Sequence, residues 1–207
     1  MYSNKFEFQS PLHGTYLRDV LQNRSKAMRI ALEQDVRRVL EQQPDESAYL
    51  VSMISKYSIA VPQLDFDPDD IKKTEDYEQV HGTQLVGEVF IPDRLYRVWV
   101  VTFGIPFTGD IDLLQYVPRS GSGLLYPDVF ISGQHLCFKA RTLDRPEKDV
   151  QKIKAEKDKT IAFIQERLVA ITPELKEYNQ GLARDVPALF ESLKQKYQKD
   201  KDALAQL

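Results

Sequence analysis

Apolar positions in the first sixty residues recur at helical spacing. From about Thr15 to Gln43, Tyr16, Leu17, Val20 and Leu21 share one face. Ala27, Ile30, Ala31, Val36, Val39 and Leu40 continue it in steps of three and four. Pro44-Asp45 stops the pattern, and a shorter helix is predicted from Ser47 to Tyr57 with Leu50, Val51, Met53 and Ile54 inward. Residues 58–64 read as extended. Asp65 to Glu78 is acidic, holds Pro68 and little apolar content after Phe66, and reads as a surface loop or linker. The pattern then turns to strands: Gln84 to Ile91, a Pro92-Asp93 turn, and Leu95 to Ile105, the run richest in β-branched and aromatic residues. Pro106, Gly109 and Pro118 mark an irregular connection, and Gly121-Ser122-Gly123 a flexible break. Val129–Ile131 and His135–Arg141 read as a hairpin about Ser132-Gly133, where glycine supplies positive φ without a Cβ clash.

The last third changes character. Asp144 can cap a helix and Pro146 suits its first turn. Ile161, Ile164, Leu168, Ile171, Leu175, Tyr178 and Leu182 alternate spacings of three and four, a heptad seam with charges elsewhere. Thr172-Pro173 falls on the opposite face. Gly181 and Asp185-Val186-Pro187 predict a turn, followed by a helix whose stripe is Val186, Leu189, Phe190, Leu193, Tyr197 and Leu204. Two amphipathic helices joined by a short loop pack antiparallel. The expected fold is therefore α+β: N-terminal helices, a mainly antiparallel sheet, and a C-terminal antiparallel helical hairpin. The expected division is 1–143 for the α+β domain and 144–207 for the hairpin.

Composition narrows the class. The chain has 207 residues, 42% apolar and 29% charged, enough to bury a core without disulfide or metal. Net charge is −3 and the isoelectric point about 5.7, the opposite of the basic footprint of a nucleic-acid binder. Cys137 is the only cysteine, so no intramolecular disulfide forms and an oxidising compartment offers nothing. No stretch approaches the roughly 20 apolar residues of a spanning helix. The expectation is a soluble, cytoplasmic protein without a membrane partner.

Chemistry is sparse. Asp65, Asp67, Asp69 and Asp76 hint at a calcium loop, but Pro68 interrupts it and Asp70 stands where the sharp turn needs glycine, so a solvated acidic loop is favoured. Asp128, with Cys137-Phe138-Lys139 on the next strand, resembles a metal-nuclease core in which Cys137 replaces the second carboxylate. Mg²⁺ wants several oxygen ligands, so the favoured reading is an ordinary hairpin with Cys137 as a small buried hydrophobe. His13, His81 and His135 lack ligand-spaced neighbours. Tyr96, Trp99, Phe103 and Phe107 are better explained as core packing than as base-stacking groups. Lys and Arg along 145–201 are matched by Asp and Glu and read as a solvated face. No catalytic residue, metal ligand set or cofactor is assigned.

One segment is distinctive: Ile105-Pro106-Phe107-Thr108-Gly109-Asp110, then Leu113-Leu114, Tyr116 and Pro118, preceded by Leu50-Val51-Ser52, Lys56-Tyr57-Ser58-Ile59 and Val61-Pro62. Over roughly residues 48–200 the chain resembles a group of uncharacterised bacterial proteins with a Pro-Phe-Thr-Gly-Asp loop followed by a Tyr-x-Pro step. In longer members of that group a restriction-nuclease-like domain follows. The resemblance implies a non-catalytic accessory or N-terminal module of a DNA-defence nuclease. Arg119-Ser120 stands where the group often has Ser-Thr, and no catalytic residue carries over.

The leading expectation is a protein-interaction, oligomerisation or regulatory module acting through Ile164, Leu168, Ile171 and Leu175, by self-association or with a protein partner. The alternatives are a degenerate metal nuclease using Asp128 and Lys139, and a nucleic-acid-binding accessory domain. Thr108, Gly109 and Asp110 form the one loop singled out. Glycine permits left-handed geometry and the flanking side chains can bond back to nearby N–H groups. A self-satisfied structural turn is favoured there over a ligand contact.

Overall fold

In a computed structural model of the chain, residues 6–7, 15–42, 45–84, 91–120, 129–143 and 148–205 are described. The Gly121–Gly123 break, Asp128, the Asp144–Pro146 cap and nearly all of the strand expected at 84–91 lie outside them.

The N-terminal helices form, but Val51 and Tyr16, expected on their apolar faces, are 67% and 52% exposed. Helix α1 spans Leu17–Gln42 and buries Leu17, Leu21, Met28, Leu32, Val36 and Val39. Its inward stripe passes through Met28 and Leu32, leaving Ile30 exposed. Helix α2 spans Glu46–Tyr57, and the Asp45 carboxylate caps it by accepting the N–H groups of Ser47 (2.9 Å) and Ala48 (3.2 Å).

Six described strands form one sheet: β1 (Phe6–Glu7), β2 (Gln63–Leu64), β3 (Lys72–His81), β4 (Leu95–Thr108), β5 (Phe130–Ser132) and β6 (His135–Thr142). The order is β1-β5-β6-β4, every pairing antiparallel, with β2 and β3 sharing the far side of β4. Strands β5 and β6 are the expected hairpin, and Gly133 takes φ +58° in its turn. The acidic stretch read as a loop needs correcting: from Lys72 onward it is a ten-residue strand, paired with β4 from Lys72↔Gly104 to His81↔Leu95 without a slip. Its side chains are nearly all exposed. Main-chain bonds to β4, not apolar burial, hold it, so the hydropathy pattern is silent.

The C-terminal hairpin also needs correcting. Residues Val150–Leu204 form one helix, α3, of 55 residues, about 80 Å at 1.5 Å per residue. Pro173 and Pro187 lie within it. Each interior proline forfeits a backbone hydrogen bond and costs about 3 kcal/mol. The apolar stripe keeps helical phase across both, however: Leu175 and Leu182 are at most 3% exposed, and Val186 and Phe190 fully buried.

Helix α3 serves two cores. Ile153, Ile164, Ile171 and Leu175 join Val101, Phe103, Ile105, Leu136 and Phe138 under the sheet. Leu182, Val186 and Phe190 join Met28, Leu32, Val36, Val39 and Met53 between α1 and α2. The segment expected to be a separate appendage is thus the spine joining the two halves. The α+β class stands.

Candidate functional site

The heptad residues are spent inside the fold. Ile164 is 2% exposed, Ile171 and Leu175 are fully buried, and Leu168 packs partly buried against the same core. The chain's own sheet covers the stripe that was expected to meet a partner. The physical reason is the uninterrupted helix: it lays the seam along the sheet rather than against a second helix.

The Thr108-Gly109-Asp110 loop is a buttress. Gly109 has φ +82°, and a Cβ there would lie 2.5 Å from the Val61 carbonyl oxygen. Asp110 donates its N–H to the Ala60 carbonyl (2.8 Å), and its carboxylate accepts the Ala60 N–H (3.1 Å). Both Asp110 bonds close on Ala60, within the chain.

Polar groups on the inner side of α3 do related work. Asn179 Oδ1 accepts the N–H of Ile59 (2.9 Å), and its Nδ2 donates to the Ile59 carbonyl (2.8 Å). Arg167, buried, donates to the carbonyls of Leu114 (3.2 Å) and Tyr116 (2.6 Å), and burial lowers its pKa. Glu174 accepts the Arg119 N–H (2.6 Å). Its other oxygen has no hydrogen bond among the described residues and lies 3.9 Å from Arg119 Nε, beside a cleft of about 460 Å³ between α1 and α3. These residues fix the segments before and after β4 onto the long helix. A polar residue in phase with an apolar stripe was the available signal, and Arg167 and Glu174 show it.

On the sheet face turned away from α3, Glu78 pairs with Lys139 and, at 3.3 Å, with Arg141. Burial alone would raise the Glu78 carboxyl, but the two cations outweigh it and hold its pKa below the usual value. Lys139, the lysine of the alternative nuclease reading, is thus engaged by Glu78. Asp128 lies outside the described residues, and among these no group of three metal-ligating side chains gathers. Asp65 and Asp67 cap N–H groups of Asp67 and Asp69 in tight turns.

The arrangement with docking geometry lies on the opposite face. Helix α3 begins over β6: Asp149 accepts from the Thr142 hydroxyl, and Glu156 from the Arg141 N–H at 3.3 Å. Strand β3, across β4, keeps Lys72 to Tyr77 exposed. Between β3 and α3 lies a cleft of about 340 Å³. Val101 and Phe103 line it from β4, Val150 and Ile153 from α3, and Lys73, Glu75, Lys154 and Lys157 from the two sides. Register places Tyr77 opposite Trp99, next along the same face. The Arg97 guanidinium lies 3.9 Å from the Tyr77 ring centre and 5.7 Å from that of Trp99, and the two rings meet edge-on at 6.3 Å. Tyr77 is 51% exposed, and Leu95 and Val150 are similarly open. Trp99, expected as core, is half-buried at the rim of this surface. No helix among the described residues is long and apolar enough to cross a membrane.

The chain matches no protein-family model, and no curated protein and no solved structure is significantly similar to it.

Proposed function

We propose that the chain is a non-catalytic protein-interaction module that docks through the open side of its sheet, at β3 and the Tyr77–Arg97–Trp99 cluster, rather than through the α3 seam. The observation that carries this is the contact of exposed Tyr77 and Arg97 with half-buried Trp99 beside an apolar cleft. These three residue types dominate the energetics of protein interfaces, because each offers large, stiff contact area together with a polar handle. The resemblance to N-terminal modules of defence nucleases agrees with an accessory role and remains part of the proposal.

Site-specific photocrosslinking tests it. A benzophenone amino acid at position 77, in the cells that express the protein, is expected to give a discrete protein adduct that Arg97→Ala removes. The same group at exposed Ala183 on α3 gives none. Adducts at both positions, or at neither, refute the assignment. Nucleic-acid binding has some support in the same aromatic and basic groups. A salt-dependent quench of Trp99, the only tryptophan, by single-stranded DNA would favour that reading. Cleavage of DNA with Mg²⁺ would favour the enzymatic one.

A further inference from the structure

Resting on that reading, the geometry points further: we propose that the groove between β3 and α3 receives an extended acidic segment of the partner, which adds to the sheet as a strand along β3. Three independent features carry this.

The first is the edge itself. β3 pairs with β4 over all ten residues and, among the described residues, with nothing on its other side. In an antiparallel strand alternate residues turn N–H and C=O away from the partner, so Lys72 to Tyr77 presents main-chain groups that no described strand pairs, although the Asp76 carboxylate already accepts the Tyr77 N–H at 2.8 Å. Natural edges are commonly blunted by brevity, proline, a bulge or charged side chains, and only the last of these is present here. This one is long, holds neither proline nor glycine, and keeps an unbroken register. Its charged side chains still discourage a plain apolar strand, which makes it selective rather than closed.

The second is the cleft. Lys73, Glu75 and Tyr77 lie directly opposite Phe103, Val101 and Trp99, so all six share the face that α3 flanks. An added strand would send every second side chain to that face. There it meets Val101, Phe103, Val150 and Ile153. A sheet edge beside a flanking helix, with an apolar floor between them, is the arrangement by which strand-adding domains take peptides. Main-chain bonds supply affinity and alternate pockets supply specificity.

The third is charge. The opening of α3 carries Lys148, Lys152, Lys154, Lys157 and Lys159 against Asp149, Glu156 and Asp158. Two of these acids are turned back onto β6, Asp149 on the Thr142 hydroxyl and Glu156 on the Arg141 N–H. Lysines at a helix start oppose the usual preference, because the helix dipole already makes that end positive. The first turn of α3 holds no acidic residue. Lys73 adds a cation from β3, paired at 2.7 Å with Glu75; Lys157 lies 3.9 Å from the Asp158 carboxylate, and Lys154 has no carboxylate partner among the described residues. The groove is therefore a positive, apolar-floored slot, complementary to carboxylates flanking apolar side chains.

The test uses the full chain and synthetic probes: an N-acetylated peptide in which every second residue, the set facing the groove, is valine and glutamate in turn with threonine between them, the same peptide with lysine for glutamate, and the glutamate peptide with a central proline. Trp99 emission and calorimetry read affinity, and amide shifts of isotopically labelled protein read location. The glutamate peptide is expected to bind at least about tenfold more tightly than the lysine peptide. Its binding should weaken as salt rises from about 50 to about 300 mM. It should shift the amides of residues 72–77 and lose about tenfold or more in the proline form. The double variant Lys154→Glu, Lys157→Glu alters an exposed and a half-exposed side chain, leaves the fold intact, and is expected to remove the preference for glutamate. Equal binding of both signs, or tolerance of proline, overturns the acidic strand while leaving the docking surface in place. Binding by no peptide, together with absent crosslinks at position 77, overturns both.

Discussion

Replacing Asn179 with alanine tests the idea that α3 is a spine to which the loops are pinned. The amide makes a two-way clamp on one residue, accepting the Ile59 N–H at 2.9 Å and donating to the Ile59 carbonyl at 2.8 Å. Ile59 is 3% exposed and lies beside the Gly109 buttress, where Ala60 and Asp110 bond to each other. Alanine would strand both groups. An orphaned buried donor or acceptor costs about 1–3 kcal/mol, and the half-buried amide site can admit some water, so the net loss is about 2–4 kcal/mol. With a urea slope of about 2–3 kcal/mol/M, the unfolding midpoint should fall by about 0.7–2 M. Circular dichroism follows the helices and Trp99 emission the sheet, so the two probes also report whether the halves come apart separately. Asn179→Asp keeps the acceptor but sets an anionic oxygen against the Ile59 carbonyl, and should be at least as damaging at neutral pH. Exposed Lys176→Ala is the control, expected within about 0.5 kcal/mol of the parent. A loss below about 0.5 kcal/mol in Asn179→Ala, with unchanged slope, would refute the reasoning.

Other consequences follow from the same contacts. Gly109→Ala must hold a Cβ at φ +82° and 2.5 Å from the Val61 oxygen, and is expected to lose about 2–4 kcal/mol in denaturant titrations. Gly133→Ala, at φ +58° with nothing within 4 Å, should lose only about 1–2 kcal/mol, and equal losses would count against the buttress. Ile171→Ala is expected to cost about 2–5 kcal/mol while leaving the sedimentation coefficient of the folded protein unchanged, since its side chain fills the chain's own core. A change in oligomeric state without loss of stability would restore the seam as an interface. The Tyr49 phenol, half-buried and beside Asp35, has its pKa pushed up from 10.0 to about 12, first by burial and then by that charge. The stabilisation from its neutral form is complete below pH 10 and lost as pH rises toward 12, so Tyr49→Phe should flatten the alkaline limb of the stability curve. Glu78 behaves oppositely. Its carboxyl is held below the ordinary 4.5, so its contribution is complete above that pH and disappears as acid protonates it, and Glu78→Gln should blunt the acid limb.

Local order was legible in the sequence wherever a side-chain pattern and a backbone requirement coincided. The stripe of α1, the inward Met53 of α2, the β-branched run of β4 and the Gly133 turn each follow from residues within a few positions of one another. So does the apolar phase of α3, which runs from Ile153 to Phe190. Only the tertiary structure decided that Pro173 and Pro187 lie inside one helix, because local propensity counts the lost hydrogen bonds and cannot count what Leu182, Val186 and Phe190 gain against α1 and α2. Only it decided that Lys72–His81 is a strand, since that order comes from main-chain bonds to a segment more than ten positions away. The candidate site belongs to the same class. Lys73, Tyr77, Arg97, Trp99 and Lys154 are ordinary residues in the sequence. They become a surface because antiparallel register sets Tyr77 opposite Trp99 and because α3 crosses on the β6 side, leaving the outer edge of β3 without a strand partner among the described residues.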